Sequence, residues 1–302
     1  MSDSATTAAL DQLEVLRGRS REVSELPGGL TNLNLRVTMP DREVVVRKVR
    51  SDAGLLAIDR EAEHANTVIA AGIGVGAGVI EHRPELGITV LEWLPGRTLT
   101  DSDFADPDIL DRAADAVRRL HAGPRFVNDF DMFARQRWYR EVVAEHGFPL
   151  PESYDDHAAA WEDVRRVLTA TAGPTVPCNN DLLAGNFIDD GERVWLIDYD
   201  YSGNNDPCFE LGNAATECEF GPDLTRAWAE AYFGRDDPRL LARVLLQALC
   251  SQYGWSLWGF IQAGSSALDF DFHAWGTHRF DKAVRTFTSP ELPRLLAEVA
   301  GG

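Results

Sequence analysis

Long apolar runs are missing from this chain. No stretch approaches the ~18 consecutive apolar residues that cross a bilayer, so no membrane span is expected. Its beginning, MSDSATTAALDQLEVL, lacks the basic start and apolar centre of a secretory signal. Positive charge is also short, with 29 Lys and Arg against 48 Asp and Glu and a net charge of −19. That balance argues against nucleic acid or an anionic membrane as a partner, because both need a basic face. It tolerates a cationic ligand, although acidic surfaces often serve only solubility. Cysteine is scarce: Cys178, Cys208, Cys218 and Cys250 form no CxxC pair and no metal-like spacing. They are expected to be reduced, partly buried thiols of a soluble, cytoplasmic protein. A GxxxxGK[ST] loop, an internal repeat and a low-complexity tract are likewise absent. Over 302 residues, 44% hydrophobic and 25% charged content suffices for one large or two modest globular domains.

What is present is concentrated between Pro177 and Glu217, PCNNDLLAGNFIDDGERVWLIDYDYSGNNDPCFELGNAATE. Asp181 sits in a short polar loop and Asn186 follows five residues later. An apolar run, the pair Asp190-Gly191, and a second apolar run from Val194 to Ile197 ending on Asp198 read as a hairpin. Asp190-Gly191 taken alone is an ordinary turn. Folding the hairpin brings Asn186 close to Asp198, beside Asp181. Such hard oxygen ligands suit Mg²⁺, which keeps several waters and takes one or two protein groups plus substrate phosphates. The order Asp-x4-Asn-turn-strand-Asp matches the core of a kinase. There, one Asp accepts the substrate hydroxyl proton, while an Asn and a later Asp hold metal.

Residues 5–17, with Leu10, Leu13, Val15 and Leu16, predict an amphipathic helix. Gly28-Gly29 then precedes an alternating run through Leu33, Leu35 and Val37. A glycine turn lets backbone amides approach phosphate, and Thr31 and Asn32 could add donors, although most such pairs are only turns. Residues 43–49, EVVVRKV, predict a buried strand whose Arg47 and Lys48 point to opposite faces. A helix over about 55–71 carries Glu63, in the place of the kinase glutamate that pairs with the strand cation. Arg60 lies three residues from Glu63 and could pair with it on the surface. Strands at 77–81 and 88–93 lead to a break at Pro95-Gly96. Backbone groups from Glu92 to Leu94 are there expected to meet an adenine edge. From that point helices dominate, at 107–122, 132–146 and 156–171, with His121 read as structural.

Near the C-terminus, Trp255 and Trp258 lie three apart, as do Phe272 and Trp275. With Tyr201 these rings could wall a pocket for a quaternary ammonium group. Aromatic pairs at this spacing also commonly fill a core.

The segment IDYDYSGNNDPCFELGN, the GGLTN turn, the LH…FDMF spacing and the WxxWxxxQAxxS…FDF…RFD order together resemble the choline/ethanolamine kinases. These lie within the wider group of aminoglycoside-phosphotransferase-like kinases. The resemblance spans about Gly28 to Lys282. It implies a two-lobed, protein-kinase-like α+β fold. Residues 1–94 would be a small sheet-containing N-lobe that binds nucleotide. Residues 95–302 would be a larger, mainly helical C-lobe with the catalytic loop, metal site and substrate pocket. It further implies ATP and Mg²⁺ as cofactors and a small amino alcohol, choline first, as substrate. Asp181 would be the base, Asn186 and Asp198 the metal ligands. Gly29, Thr31, Asn32, Arg47, Glu63, Glu92 and Leu94 would serve the nucleotide, and Asp200 would help balance the substrate cation. Ethanolamine, an aminoglycoside or another amine-bearing alcohol are alternative substrates, and a non-catalytic binding relative is an alternative class. The chain departs from the family at Asn179, where a histidine is usual, and at Phe272 and Trp275, where tyrosines are expected.

Overall fold

The computed structural model describes residues 4–50 and 53–301. The expected first helix is short: α1 covers Ser4–Leu10, and a single 3₁₀ turn follows at Glu14–Leu16. Leu10, Leu13 and Leu16 are all buried. The helix stops because the chain turns after Leu10 and is extended at Leu13, which brings all three leucines to the same core.

Five antiparallel strands follow in the spatial order β1-β2-β3-β5-β4. They are β1 (Glu22–Glu25), β2 (Asn32–Thr38), β3 (Glu43–Val49), β4 (Val79–Arg83) and β5 (Ile88–Glu92). Period-two alternation buries Val44 and Val46 with Leu35, Val37, Met39, Ile88 and Val90 on one face. Val45 and Arg47 therefore face the other way, into the cleft. Between β3 and β4 lies α2 (Arg60–Gly72), started by Asp59, whose side chain accepts from the amides of Glu61 and Ala62.

After β5 the chain leaves this sheet. The two-residue β6 (Arg97–Thr98) pairs instead with β8 of the second lobe. That lobe carries α3 (Pro107–His121), α4 (Met132–His146) and α5 (Ala158–Ala170), close to their expected bounds. Next come β7 (Val176–Cys178), the hairpin β8 (Phe187–Asp189) and β9 (Val194–Leu196), and β10 (Gly203–Asn205), which pairs with β7. The hairpin closes where Asp190-Gly191 predicts, with Gly191 at φ +91°. The remaining helices are α6 (Pro207–Glu217), α7 (Pro222–Phe233), α8 (Pro238–Ser265), α9 (Phe272–Phe287) and α10 (Glu291–Ala300). The long α8 is buried along most of Ala242–Gln262 and is the post against which α4, α6, α9 and α10 pack. Among the described residues, no helix is long and apolar enough to cross a membrane.

Candidate active site

The loop that carries Asp181 leaves β7 at Cys178 and reaches β8 through a 3₁₀ turn at Ala184–Asn186. Asn180 and Asp198 adopt left-handed backbone, with φ of +67° and +63°. Ala57 and Glu219 share this left-handed backbone elsewhere in the chain. Glu210, wholly buried on α6, accepts from the amides of Asn179 at 2.8 Å and Asn180 at 2.6 Å. Its one sequence signal is a carboxylate inside the otherwise apolar PCFELGN.

Burial raises the Glu210 carboxyl to about 7, against the pull of those two amides. The folded value lies above the ordinary one. Its stabilising share is therefore complete below the unfolded pKa and is lost as pH rises through about 7. Glu210→Gln sets an NH₂ against one loop amide, at a cost of about 1–3 kcal/mol. The expected melting-temperature deficit of that variant is largest near about pH 5 and shrinks toward about pH 8. A deficit that stays constant across this range contradicts the assignment.

Asn179, also wholly buried, ties the loop to the chain just after β9. Its Nδ2 donates to the carbonyls of Ile197 at 3.1 Å and Asp198 at 2.8 Å, and its Oδ1 accepts from the Asp181 amide at 3.1 Å. A neutral imidazole offers one donor and one acceptor, so Asn179→His loses one of three bonds. One bond is worth about 1 kcal/mol, and activity is expected to stay within about tenfold. A collapse of turnover in this variant, with unchanged stability, contradicts that.

Asn186 and Asp198 lie side by side, as the hairpin requires, with the Ile197 amide on the Asn186 carbonyl at 3.0 Å. The Asn186 Nδ2 donates to the Asp181 carbonyl at 2.8 Å, which leaves the amide oxygen for a ligand. Asp198 accepts from Arg47 through Oδ1 at 2.6 Å. Hard oxygens from Asn186 and Asp198, on the wall of an open cleft, are the donor set Mg²⁺ takes.

Arg47 also reaches Asp200 at 2.5 Å and Glu63 at 3.5 Å, the latter being the strand–helix ion pair expected from the sequence. Burial works against its charge, but Asp198, Asp200 and Glu63 outweigh it and hold its pKa above the ordinary value. Arg60 pairs with Glu63 at 2.7 Å, as its spacing suggests, and also reaches Asp200 at 2.9 Å. Arg47 Nε and Arg60 Nη2 are buried without a partner, two donors left over in this cluster.

Two expectations need correction here. The Thr31 hydroxyl and the Asn32 amide donate to Asp200, at 2.7 and 3.0 Å, rather than standing free for phosphate. Asp200 consequently has four donors on its carboxylate and acts as an anchor between the lobes, not as a free counter-charge for substrate. Burial opposes its charge, but Arg47 and Arg60 hold its pKa below the ordinary value. The Glu92 amide is engaged by the Gly78 carbonyl at 2.8 Å, and Glu92, Trp93 and Leu94 all line the cleft between the lobes. The glycine turn fits its expected geometry: Gly28 has φ +96°, and a Cβ at Gly29 would collide with the Asn32 carbonyl.

Two cavities meet at this junction. One, of about 360 Å³, is an apolar slot between the lobes lined by Val45, Ala77, Leu91, Leu94, Ile188 and Ile197, with Arg47 at its inner end. The other, of about 350 Å³, is lined by Asp181, Glu217, Tyr201, Trp255, Trp258 and Trp275, with Asp101 and Arg279. Gly28, Gly185, Asn186 and Asp198 line both. Asp181 belongs only to the second. Burial pushes its carboxyl well above the usual range, Glu217, Asp198 and Asp200 adding to this and Arg279 opposing it.

Of the expected aromatic wall, Tyr201 and Trp255 meet edge to face at 4.7 Å, and the Trp258 indole donates to the Tyr201 hydroxyl at 2.7 Å. Tyr201, Trp255, Trp258 and Phe272 also belong to the core cluster around α8. Phe272 is 3% exposed and packs on Trp258 at 5.7 Å without lining the pocket. It supports the wall from behind and is not part of it. Glu217 and Arg279 also line the pocket, neither assigned to it from the sequence, although Arg279 opens the RFD motif.

Residues 22–243 match the phosphotransferase enzyme family, and the chain belongs to it, among the choline/ethanolamine kinases. It is similar to Ethanolamine kinase 1 of Homo sapiens, 32% identical over 315 residues, 88% of this chain and 67% of that protein. Ethanolamine kinase 2 of Rattus norvegicus is 25% identical over 324 residues, 91% of this chain and 82% of that protein. The solved structure of a choline/ethanolamine kinase family protein from Mesorhizobium loti superposes with a TM-score of 0.87. It is 32% identical, with 98% of each chain covered. The two-lobed fold is thus protein-kinase-like, and the chain is an ATP-dependent alcohol phosphotransferase acting on small molecules.

Proposed function

We propose that this kinase transfers the γ-phosphoryl group of ATP to the hydroxyl of choline, with Mg²⁺ held by Asn186 and Asp198. The observation that carries the reading is the meeting of the two cavities at those residues, with Asp181 on the aromatic side. Adenine would lie in the apolar slot against Leu94, and the phosphates would run past Gly28 and Gly29 toward Arg47. When bound, Mg²⁺ supplies positive charge against the phosphate oxygens. Asp181 takes the proton from the substrate hydroxyl, whose oxygen bonds to the γ-phosphorus as the bond to the ADP oxygen breaks. Its raised pKa makes the ionised carboxylate a stronger base, and a substrate cation and Mg²⁺ beside it would favour that ionised form. Positioning supplies most of the rate. We place the lobe boundary after Leu94, where the chain passes from the β5 edge to the β6–β8 pairing. Four free, buried cysteines fit a reducing cytoplasm.

The substrate pocket is lined by Asp101, Asp181 and Asp198 beside the paired Glu217, more carboxylates than its one lining cation, Arg279, balances, which suits an amine-bearing substrate. The presence of Glu217 favours a primary ammonium such as ethanolamine. The rings favour a quaternary one. A primary ammonium against aromatic walls leaves N–H donors unpaired, at about 1–3 kcal/mol each. A trimethylammonium has none to lose and gains about 0.5–2 kcal/mol per well-placed ring. Choline is therefore expected to exceed ethanolamine by at least about tenfold in kcat/KM. A screen of amino alcohols for ATP-dependent phosphorylation tests this, and equal use of the two substrates overturns the choline reading. Trp258→Ala is expected to raise the KM for choline while leaving that for ATP nearly unchanged.

A further inference from the structure

Arg279 is the only basic side chain among the described residues that line the substrate pocket. It lies four residues after Trp275 on α9, so the two share a helix face. Its guanidinium carbon sits 3.2 Å from the centroid of the Trp275 ring. Its Nε donates to Glu217 Oε1 at 3.0 Å and its Nη2 donates to Oε2, fork on fork. Both side chains are largely buried, 13% exposed for Arg279 and 5% for Glu217. The end of α6 that carries Glu217 is tied to the same helix by Lys282, which donates to the Thr216 carbonyl at 3.2 Å.

The pocket thus contains a cation of its own. That cation occupies the two features best suited to a substrate ammonium, a buried carboxylate and an indole face. A primary ammonium entering the pocket meets a Glu217 whose charge Arg279 already matches and whose two oxygens each carry one bond, and keeps N–H groups that the remaining rings cannot accept. A quaternary ammonium needs no acceptor and can use Tyr201, Trp255 and Trp258 as they stand. We infer that Arg279 is a specificity-determining residue, which biases the pocket against primary ammonium substrates by engaging Glu217 and Trp275. The inference rests on the amino-alcohol kinase reading above.

Arg279→Met keeps the chain's length over Trp275 and frees the Glu217 carboxylate. The ethanolamine-to-choline ratio of kcat/KM is expected to rise by at least about tenfold, the worth of a charge-assisted bond. The change is expected mainly in the KM for ethanolamine, with the KM for ATP within about twofold. Arg279→Lys keeps the charge on Glu217 and is expected to restore most of the parental ratio. Adding Glu217→Gln to Arg279→Met is expected to cancel the gain. A ratio unmoved by Arg279→Met, an equal loss with both substrates, or a larger gain for choline overturns the inference and leaves the kinase reading standing. No ATP-dependent phosphorylation of either alcohol by the parent protein overturns both.

Inhibition of the parent enzyme keeps the test open if Arg279→Met does not fold. Tetramethylammonium is expected to compete with choline at least about tenfold more strongly than ethylammonium, by the same reckoning of one charge-assisted bond. Equal inhibition by the two ions overturns the inference.

Discussion

Asp181→Asn is expected to lower turnover by about 10²–10⁴-fold, the usual worth of a positioned base. An asparagine keeps the size of the side chain and the bonds of the loop backbone, since the Asp181 amide and carbonyl engage Asn179, Leu183 and Asn186 through main-chain atoms. Only the proton acceptor is removed. Nucleotide binding should survive, because Asp181 lines the aromatic cavity and not the apolar slot. Single-turnover rates together with ATP affinity separate the two effects. Near-parental turnover, or an equal loss of ATP affinity, contradicts the role.

The second large effect is expected at Asp198. Asp198→Ala removes one of the two side chains assigned to Mg²⁺ and also one of the three carboxylates around Arg47. Metal-dependent binding of ATP should be lost, while any residual metal-free binding in the apolar slot is retained. Calorimetry with and without Mg²⁺ reads this directly, and MgATP affinity unchanged from the parent counts against the assignment. Arg47 keeps Asp200 and Glu63 as partners in this variant, so a loss through unfolding is not expected. A melting curve checks that the lobe interface holds.

The readable part of this site is the part that one short piece of chain builds. Asp181, Asn186 and Asp198 are brought together by a loop and a hairpin, and the turn residues Asp190-Gly191 set that geometry locally. The Arg47–Glu63 pair was legible for a similar reason, since strand alternation and helix position leave each one direction in which to point. Asp200 was not. Its place two residues after Asp198 suggests a substrate contact, but Thr31, Asn32 and Arg60 arrive from the other lobe and claim it.

Glu210, Glu217 and Arg279 depend on how α6 and α9 pack against α8 and the loop, which local periodicity does not reveal. Phe272 shows the same limit in reverse. Spacing puts it on the face of Trp275, yet packing turns it into the core behind Trp258. The boundaries of the first helix fail for a simpler reason, because leucines spaced three apart read as amphipathic helix although the chain turns between Leu10 and Leu13.

Phosphorus NMR of the protein with MgATP and choline tests the central claim most directly. The account predicts a new phosphomonoester resonance that grows as the γ-phosphate signal falls, faster with choline than with ethanolamine and abolished in Asp181→Asn. ATP converted only to ADP and inorganic phosphate, or no conversion with either alcohol, contradicts it.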